Sequence, residues 1–290
     1  MRKIGAHVSA AGGPHKAVER AAEIGCNCVQ VFSGSPRSWK RKPLAELDTE
    51  KLSSARMSRA IEPVVTHAIY LVNLASENEE LLENSKSSLA YDLAFDAAIA
   101  GAGVVVHLGS HQGRGWEAVQ RGVLERVAKL LENSPAAATL LIENSAGQKG
   151  KLSTELAEIR WMLDRLASPK VGWCFDTCHA FAGGYALGDP SNRNRGGGAA
   201  DAFAVEEIER LKLWDELRCV HVNDSRDPFA SGRDRHANIG DGEIPSDDLE
   251  YFLARPEITG LPLILEVPGF NNDGPDAENV RRLRELVGEA

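Results

Sequence analysis

The sequence has little of what would place it in a membrane or an oxidising compartment. Its five cysteines (Cys26, Cys28, Cys174, Cys178 and Cys219) are an odd, scattered set in 290 residues. They lack the spacing of a disulfide framework or a zinc ribbon and read as reduced thiols of the core. The longest unbroken apolar-and-glycine run, AAIAGAGVVV at 97–106, is far shorter than a bilayer span. The opening stretch MRKIGAHVSAAGG carries two basic residues but no apolar segment behind them, so no signal peptide is expected. No glycine fingerprint of an open, doubly wound nucleotide-binding sheet stands out. Positive charge is also in deficit, with 33 Lys and Arg against 42 Asp and Glu for a net −9. On its face that argues against a nucleic-acid partner. A soluble cytoplasmic protein, with no membrane contact, is the expectation.

What is present is a repeating alternation. Short apolar, β-branched runs recur at KIGAHVS (3–9), CVQVFSG (28–34), PVVTHA (63–68) and VVVHLGS (104–110), then at TLLIENS (139–145), VGWCFDT (171–177), RCVHVND (218–224) and LPLILEV (261–267). Helical segments separate them. PHKAVERAAEIG has Pro14 at a first-turn position and Gly25 just past its end. STELAEIRWMLDRLAS repeats apolar residues at Leu156, Ile159, Leu163 and Leu166, the helical period. Eight strands alternating with helices predict an α/β fold, a (β/α)8 TIM barrel with its site at the C-terminal mouth. No linker or compositional break appears, so residues 1–290 are expected to form one catalytic domain. Two long irregular stretches, 188–200 and 223–242, follow strands.

The strand ends carry the chemistry. The third ends in His67, the fourth in His107, the fifth in Glu143, the sixth in Asp176, the seventh in His221 and the eighth in Glu266. In a barrel these ends converge on one mouth. His179 follows strand six, and Asp234 and His236, two apart in an extended segment, follow strand seven and can share one metal. A single strand-end histidine is usually a hydrogen-bonded core residue. Six consecutive strands ending this way would leave a ring of partly buried acids and imidazoles without counter-charge unless cations supply it. Nine ligands are too many for one tetrahedral zinc and suit two or three ions with a shared carboxylate and open positions for water. Such a site fits displacement at phosphorus. The loop GSPRSWKRKPL after strand two adds Arg37, Lys40, Arg41 and Lys42 around Trp39. Arg226, Arg233 and Arg235 follow strand seven. Bound cations and this rim weaken the objection from net charge. His7, at the end of strand one, also faces the mouth.

The stretches IGAHVSAAGG, YLVNLAS, HLGSH, IENSAGQ, DTCHAFAGGY, HVNDS, DRHANIGDGEI and LPLILEVPG, in this order, make the chain resemble the endonuclease IV family of zinc-dependent apurinic/apyrimidinic endonucleases. The resemblance covers nearly the whole chain. It implies three Zn2+ ions per chain, with Mn2+ tolerated at some sites. His67, His107 and Glu143 would hold the first ion. Glu143, the catalytic residue, would bridge to a second held by Asp176, His221 and Glu266. His179, Asp234 and His236 would hold the third. The implied reaction is hydrolysis 5′ to an abasic site, leaving a 3′-hydroxyl and a 5′-deoxyribose phosphate, together with trimming of blocked 3′ ends. The partner would be double-stranded DNA, touched by Arg37, Tyr70 and Leu71, and the protein a monomer. Ile69 and Leu108 stand where proline is common in that family.

Two other readings stay open on the residues alone. A sugar or sugar-phosphate isomerase barrel shares the architecture but has no need of a third metal site. A lesion-binding or metal-storage protein would not need open coordination positions.

Overall fold

The computed structural model describes residues 1–192 and 202–289. Eight parallel strands close into a barrel: β1 (Lys3–His7), β2 (Cys28–Phe32), β3 (Val64–His67), β4 (Val104–Val106), β5 (Leu140–Glu143), β6 (Val171–Asp176), β7 (Leu217–His221) and β8 (Pro262–Leu265). They pair in sequence order, and β8 closes on β1 with Ile4 beside Leu263. All eight begin within a residue of the runs expected to be strands, but they end up to four residues earlier, the third to fifth of them after only three or four residues. Covered on both faces, they are apolar almost throughout.

Helices lie between the strands: α1 (Pro14–Glu23), α2 (Thr49–Arg59), α3 (Glu79–Ala98), α4 (Trp116–Asn133), α5 (Leu156–Leu166), α6 (Thr177–Ala182), α7 (Ala204–Arg210), α8 (Ser246–Leu253) and α9 (Ala277–Leu286). Pro14 opens α1 as expected. Asp48, Asn78 and Asp276 cap α2, α3 and α9, each side chain accepting from an N–H of the first turn. On α5 the inward face is Leu156, Ile159, Met162 and Leu163. Leu166 is only partly buried because the helix ends there, with Ala167 turning left-handed at φ 42°. Of the 188–200 stretch, residues 193–200 lie outside the described residues. Among the described residues no helix is long and apolar enough to cross a membrane.

Inside the barrel, Cys28, Val65, Val105, Leu141, Cys174, Cys219 and Ile264 form a buried apolar layer. Three of the five cysteines belong to it, and all five are buried free thiols. Gly5 completes the ring. A Cβ there would come 2.6 Å from Cys28 Sγ, so only glycine lets β1 approach β2 this closely. Because a strand repeats every two residues, the next inward positions toward the mouth are His7, Gln30, His67, His107, Glu143, Asp176, His221 and Glu266. The apolar layer is the floor on which the polar layer stands.

On the outside, Asp96 of α3 accepts a hydrogen bond from Thr66 Oγ1 at 2.6 Å, and burial pushes its carboxyl up to about 6. That exceeds the unfolded value of about 3.9, so the folded chain keeps this proton after the unfolded chain has lost it. The corresponding stability is complete below about pH 4 and is lost as pH rises to about 6. In urea titrations, wild type should therefore lose about 3 kcal/mol relative to Asp96→Asn across that window. A difference that does not change with pH would contradict this.

Candidate metal centre

The structure brings all nine expected ligands into one cluster at the mouth. Glu143, at the end of β5, is its centre. Glu143 Oε2 lies 3.3 Å from His67 Nε2 and 3.2 Å from His107 Nε2. Glu143 Oε1 lies 3.0 Å from His221 Nδ1 and 3.3 Å from His179 Nδ1. His221 Nδ1 is also 3.3 Å from Glu266 Oε2 and 3.8 Å from Asp176 Oδ2. Asp234 Oδ1 sits between His179 Nε2, at 3.1 Å, and His236 Nε2, at 3.4 Å. Three overlapping groups have ligand atoms within 4.8 Å of one another: His67, Glu143, His221 and Glu266; His107, Glu143 and His179; and Asp176, His179 and His236. Cys174 and Cys219 form a further such group with His221, from the layer beneath.

Local structure aims these groups. β6 runs straight into the short helix α6. Asp176 caps that helix, its Oδ1 accepting from the His179 N–H at 2.7 Å. One residue thus faces the cluster and orients the next ligand. The 223–242 stretch, expected to be irregular, is tied down by Asp224. Its buried carboxylate accepts from the N–H groups of Ser225, Gly240, Gly242 and Ile244 at 2.8–3.0 Å. Asp224–Ser225 then pairs antiparallel with His236–Ala237, which turns His236 onto the mouth.

Four imidazoles have one nitrogen fixed by a protein acceptor. His67 Nδ1 meets the Ala68 carbonyl at 2.6 Å, His179 Nδ1 the Asn144 carbonyl at 3.1 Å, and His236 Nδ1 the Glu266 carbonyl at 3.2 Å. His221 Nε2 meets Gln30 Oε1 at 2.9 Å. An acceptor on one nitrogen places the proton there and turns the other nitrogen's lone pair into the cluster. In the neutral rings those lone pairs face carboxylates. Glu143 Oε2, His179 Nε2 and His236 Nε2 are buried without a hydrogen-bond partner. Lone pair against carboxylate is repulsive unless a cation lies between them, and the imidazole and carboxylate donors match zinc. The residues therefore fit a metal cluster.

The electrostatics carry the same strain. Burial opposes ionisation of Glu143, but His107 and His221, with hydrogen bonds from His179 and His221, hold its carboxyl well below the usual range. His179 and His221 are raised well above the ordinary imidazole value despite burial, by the surrounding carboxylates. Burial raises Asp176 and drives His107 down to about 4. Protons and metal ions compete for these groups, so metal binding would displace protons from them.

With this geometry established, the comparisons decide the family. Over residues 18–286 the sequence matches a family described as a xylose isomerase-like TIM barrel. A probable endonuclease 4 of Methanoculleus marisnigri is 38% identical over 290 residues, covering 99% of this chain and 100% of the relative. The crystal structure of endonuclease IV from Thermus thermophilus superposes with a TM-score of 0.83 at 33% identity, covering 99% of this chain and 100% of that one. The chain belongs to the endonuclease IV family. It is accordingly a nuclease of the hydrolase class. A D-tagatose 3-epimerase-like protein, at 19% identity and a TM-score of 0.69, is similar in fold alone; it covers 99% of this chain and 97% of its own.

In this endonuclease IV chain the rim differs from expectation in two places. Arg41 was expected among the exposed cations, but its guanidinium turns inward, within 3.8 Å of buried Asp92. Trp39 packs against the core and does not stand free as a stacking platform. Arg233 and Arg235 both reach Asp227, which offsets part of their charge. Arg37 and Lys40 are exposed. Tyr70 and Leu71, just past β3, are 59% and 38% exposed, unusual for large apolar side chains. A groove of about 1390 Å³ opens beside the cluster, lined by His7, Phe32, Ser35, Lys40, Tyr70 and Glu266 among others.

The sequence reading missed three amides that hold the ligands. Gln30 Nε2 donates to Glu266 Oε1 at 2.7 Å while its Oε1 meets His221. Asn223 Nδ2 donates to Asp176 Oδ2 at 2.7 Å. Asn144 Oδ1 accepts from the Asp176 N–H at 2.7 Å. A signal existed for Gln30, the one polar residue in the apolar run CVQVF. His7, expected only to face the mouth, sits 2.9 Å from Glu266 Oε1 through Nδ1. Replacing Gln30 by Leu should leave His221 Nε2 without its acceptor and weaken metal binding about 10–100-fold. Competition with a chromophoric zinc chelator measures this, and unchanged retention of all ions would contradict it.

Proposed function

We propose that this protein is a DNA-repair endonuclease that hydrolyses the phosphodiester 5′ to abasic sites in double-stranded DNA and trims blocked 3′ ends. The observation that carries the reading is the set of fixed imidazoles whose free nitrogens confront Glu143, Asp176 and Asp234. His67, His107 and Glu143 would hold one Zn2+. Glu143 would be shared with a second, held by Asp176, His221 and Glu266. His179, Asp234 and His236 would hold a third. Zinc bound there supplies an activated water and electrostatic relief for the phosphorane and the departing 3′ oxygen.

The chain's own residues do the rest. The cluster has a fully buried floor in Glu143, Asp176 and His221, while Asp234 is 36% exposed at its edge, so the site is open on the side from which a phosphate would enter. Tyr70 and Leu71 stand beside that entrance. Apolar side chains inserted into a duplex occupy the space of an unstacked or missing base, which fits a substrate lacking a base. Exposed Arg37 and Lys40 would contact phosphates on the same side. The net −9 of the chain leaves attraction for DNA to this local rim and to the bound cations.

The test uses a duplex with one stabilised abasic site, with product ends identified by mass. Cleavage on the 5′ side leaving a 3′-hydroxyl is expected, lost on chelation and regained with zinc. Absence of cleavage by fully metallated protein would overturn the reading. With Tyr70→Ala, incision at limiting DNA should fall about tenfold or more, in the range of a lost stacking contact. Equal efficiency of that variant would remove the wedge from the account.

A further inference from the structure

Helix α3 has an unusual inward face. Ser85, Ser88, Asp92 and Asp96 are buried on it, among Leu89, Leu93 and Phe95. Spaced by three or four, they form one polar stripe along a helix that would ordinarily bury only apolar side chains. Contacts of the stripe reach segments that lead to the mouth. Asp96 holds Thr66, next to His67. Ser85 Oγ accepts from the Asn73 N–H at 3.0 Å, in the loop that presents Tyr70 and Leu71.

The densest contacts reach the loop after β2, which carries Arg37. Asp92 accepts from Ser33 Oγ at the loop's beginning. Arg41, near its end, lies 3.8 Å from the same carboxylate oxygen and donates to Ser88 Oγ at 2.9 Å. It also donates to the Ser38 carbonyl at 2.7 Å, within the loop itself. Tyr91, on the same helix, donates to the Lys42 carbonyl at 2.7 Å. The arginine runs beneath the loop, so a Cβ on Gly34 would already touch it at 3.4 Å. Both ends of the segment are thus tied to one buried acid. Asp92 is fully buried, and the Arg41 side chain, though it borders the groove, is only 8% exposed and engaged beneath the loop. A buried acid and guanidinium are costly to desolvate and bring no assured stability over apolar residues. A stability role alone does not account for them.

We propose that the buried Arg41–Asp92–Ser88 contact is a positioning device that holds the Arg37 loop in its substrate-binding shape, so that Arg41 governs DNA affinity without touching DNA. The DNA half of this rests on the function proposed above; the loop half does not.

Two readouts separate them. The first is amide hydrogen exchange of residues 33–43 in metal-loaded protein without DNA. Arg41→Leu should speed exchange in this segment about tenfold or more, and Arg41→Lys should restore part of the protection. Unchanged exchange in Arg41→Leu overturns the proposal whatever the substrate. The second is Kd and kcat on the abasic duplex. Arg41→Leu should raise Kd about 10–100-fold and change kcat at saturating DNA by less than about threefold. Unchanged Kd, or loss confined to kcat, overturns the positioning role in wild type that binds the duplex. Wild type that fails to bind it overturns the proposed function, and the exchange result still decides the loop.

Arg41→Leu leaves Asp92 buried and unpaired, which can lower global stability. The double variant Arg41→Met/Asp92→Leu removes both charges and should recover the melting temperature while leaving the loop unprotected and Kd high. Recovery of Kd together with the melting temperature would show a purely structural role and overturn the proposal.

Discussion

The structure depends on the price of putting unpaired acids and imidazoles inside a barrel. The period of two along each strand fixes where they stand. Above the apolar ring of Cys28, Val65, Val105, Leu141, Cys174, Cys219 and Ile264, the next inward residue on every one of these strands is polar or charged. Ionised groups at that depth are tolerated only with opposite charge at contact distance. The chain's own arginines do not provide it, since none of them reaches Glu143, Asp176, Glu266 or Asp234 within ion-pair distance among the described residues. Protonated imidazoles supply part of it, His179 and His221 above all, in competition with metal ions for the same nitrogens. Divalent cations would resolve the conflict, and the surrounding mouth fits that need.

The arrangement is layered. The amides Gln30, Asn144 and Asn223 fix the ligands, and the cap of α6 and the Asp224 cage fix the backbone that presents them. Outside this rigid centre the groups expected to meet a substrate are on loops, and they are exposed. A rigid cluster bordered by exposed apolar residues suits an enzyme that holds its reactive atoms still while a bulky polymer adapts to it. The sugar-isomerase barrels share the fold, but nothing in a small sugar calls for Tyr70 and Leu71 to stand in water.

Much of this was legible in the sequence because the signals are local and repeated. The β-branched runs marked eight strands, and one His, Asp or Glu at each of six strand ends outweighed the ordinary reading of any single histidine. Asp234 and His236 followed from extended spacing. The remainder depends on contacts between distant residues. Arg41 reads as one more cation in a basic loop, and only the fold shows Asp92 beneath it. Asp92 and Asp96 look like the solvent side of a helix, whereas α3 turns them inward. The short helix α6 offers too few turns for periodicity to reveal, and its capping acid is a ligand as well. Asp224 carries no local mark of the four N–H groups it gathers from up to 20 positions away.

Zinc-edge anomalous diffraction from crystals of the protein grown with zinc tests the central point most directly. Three peaks enclosed by His67, His107, Glu143, Asp176, His179, His221, Asp234, His236 and Glu266 are expected, with Glu143 touching two of them. A mouth that binds no zinc, with these carboxylates paired only to imidazolium, would contradict the explanation of why the charges are there.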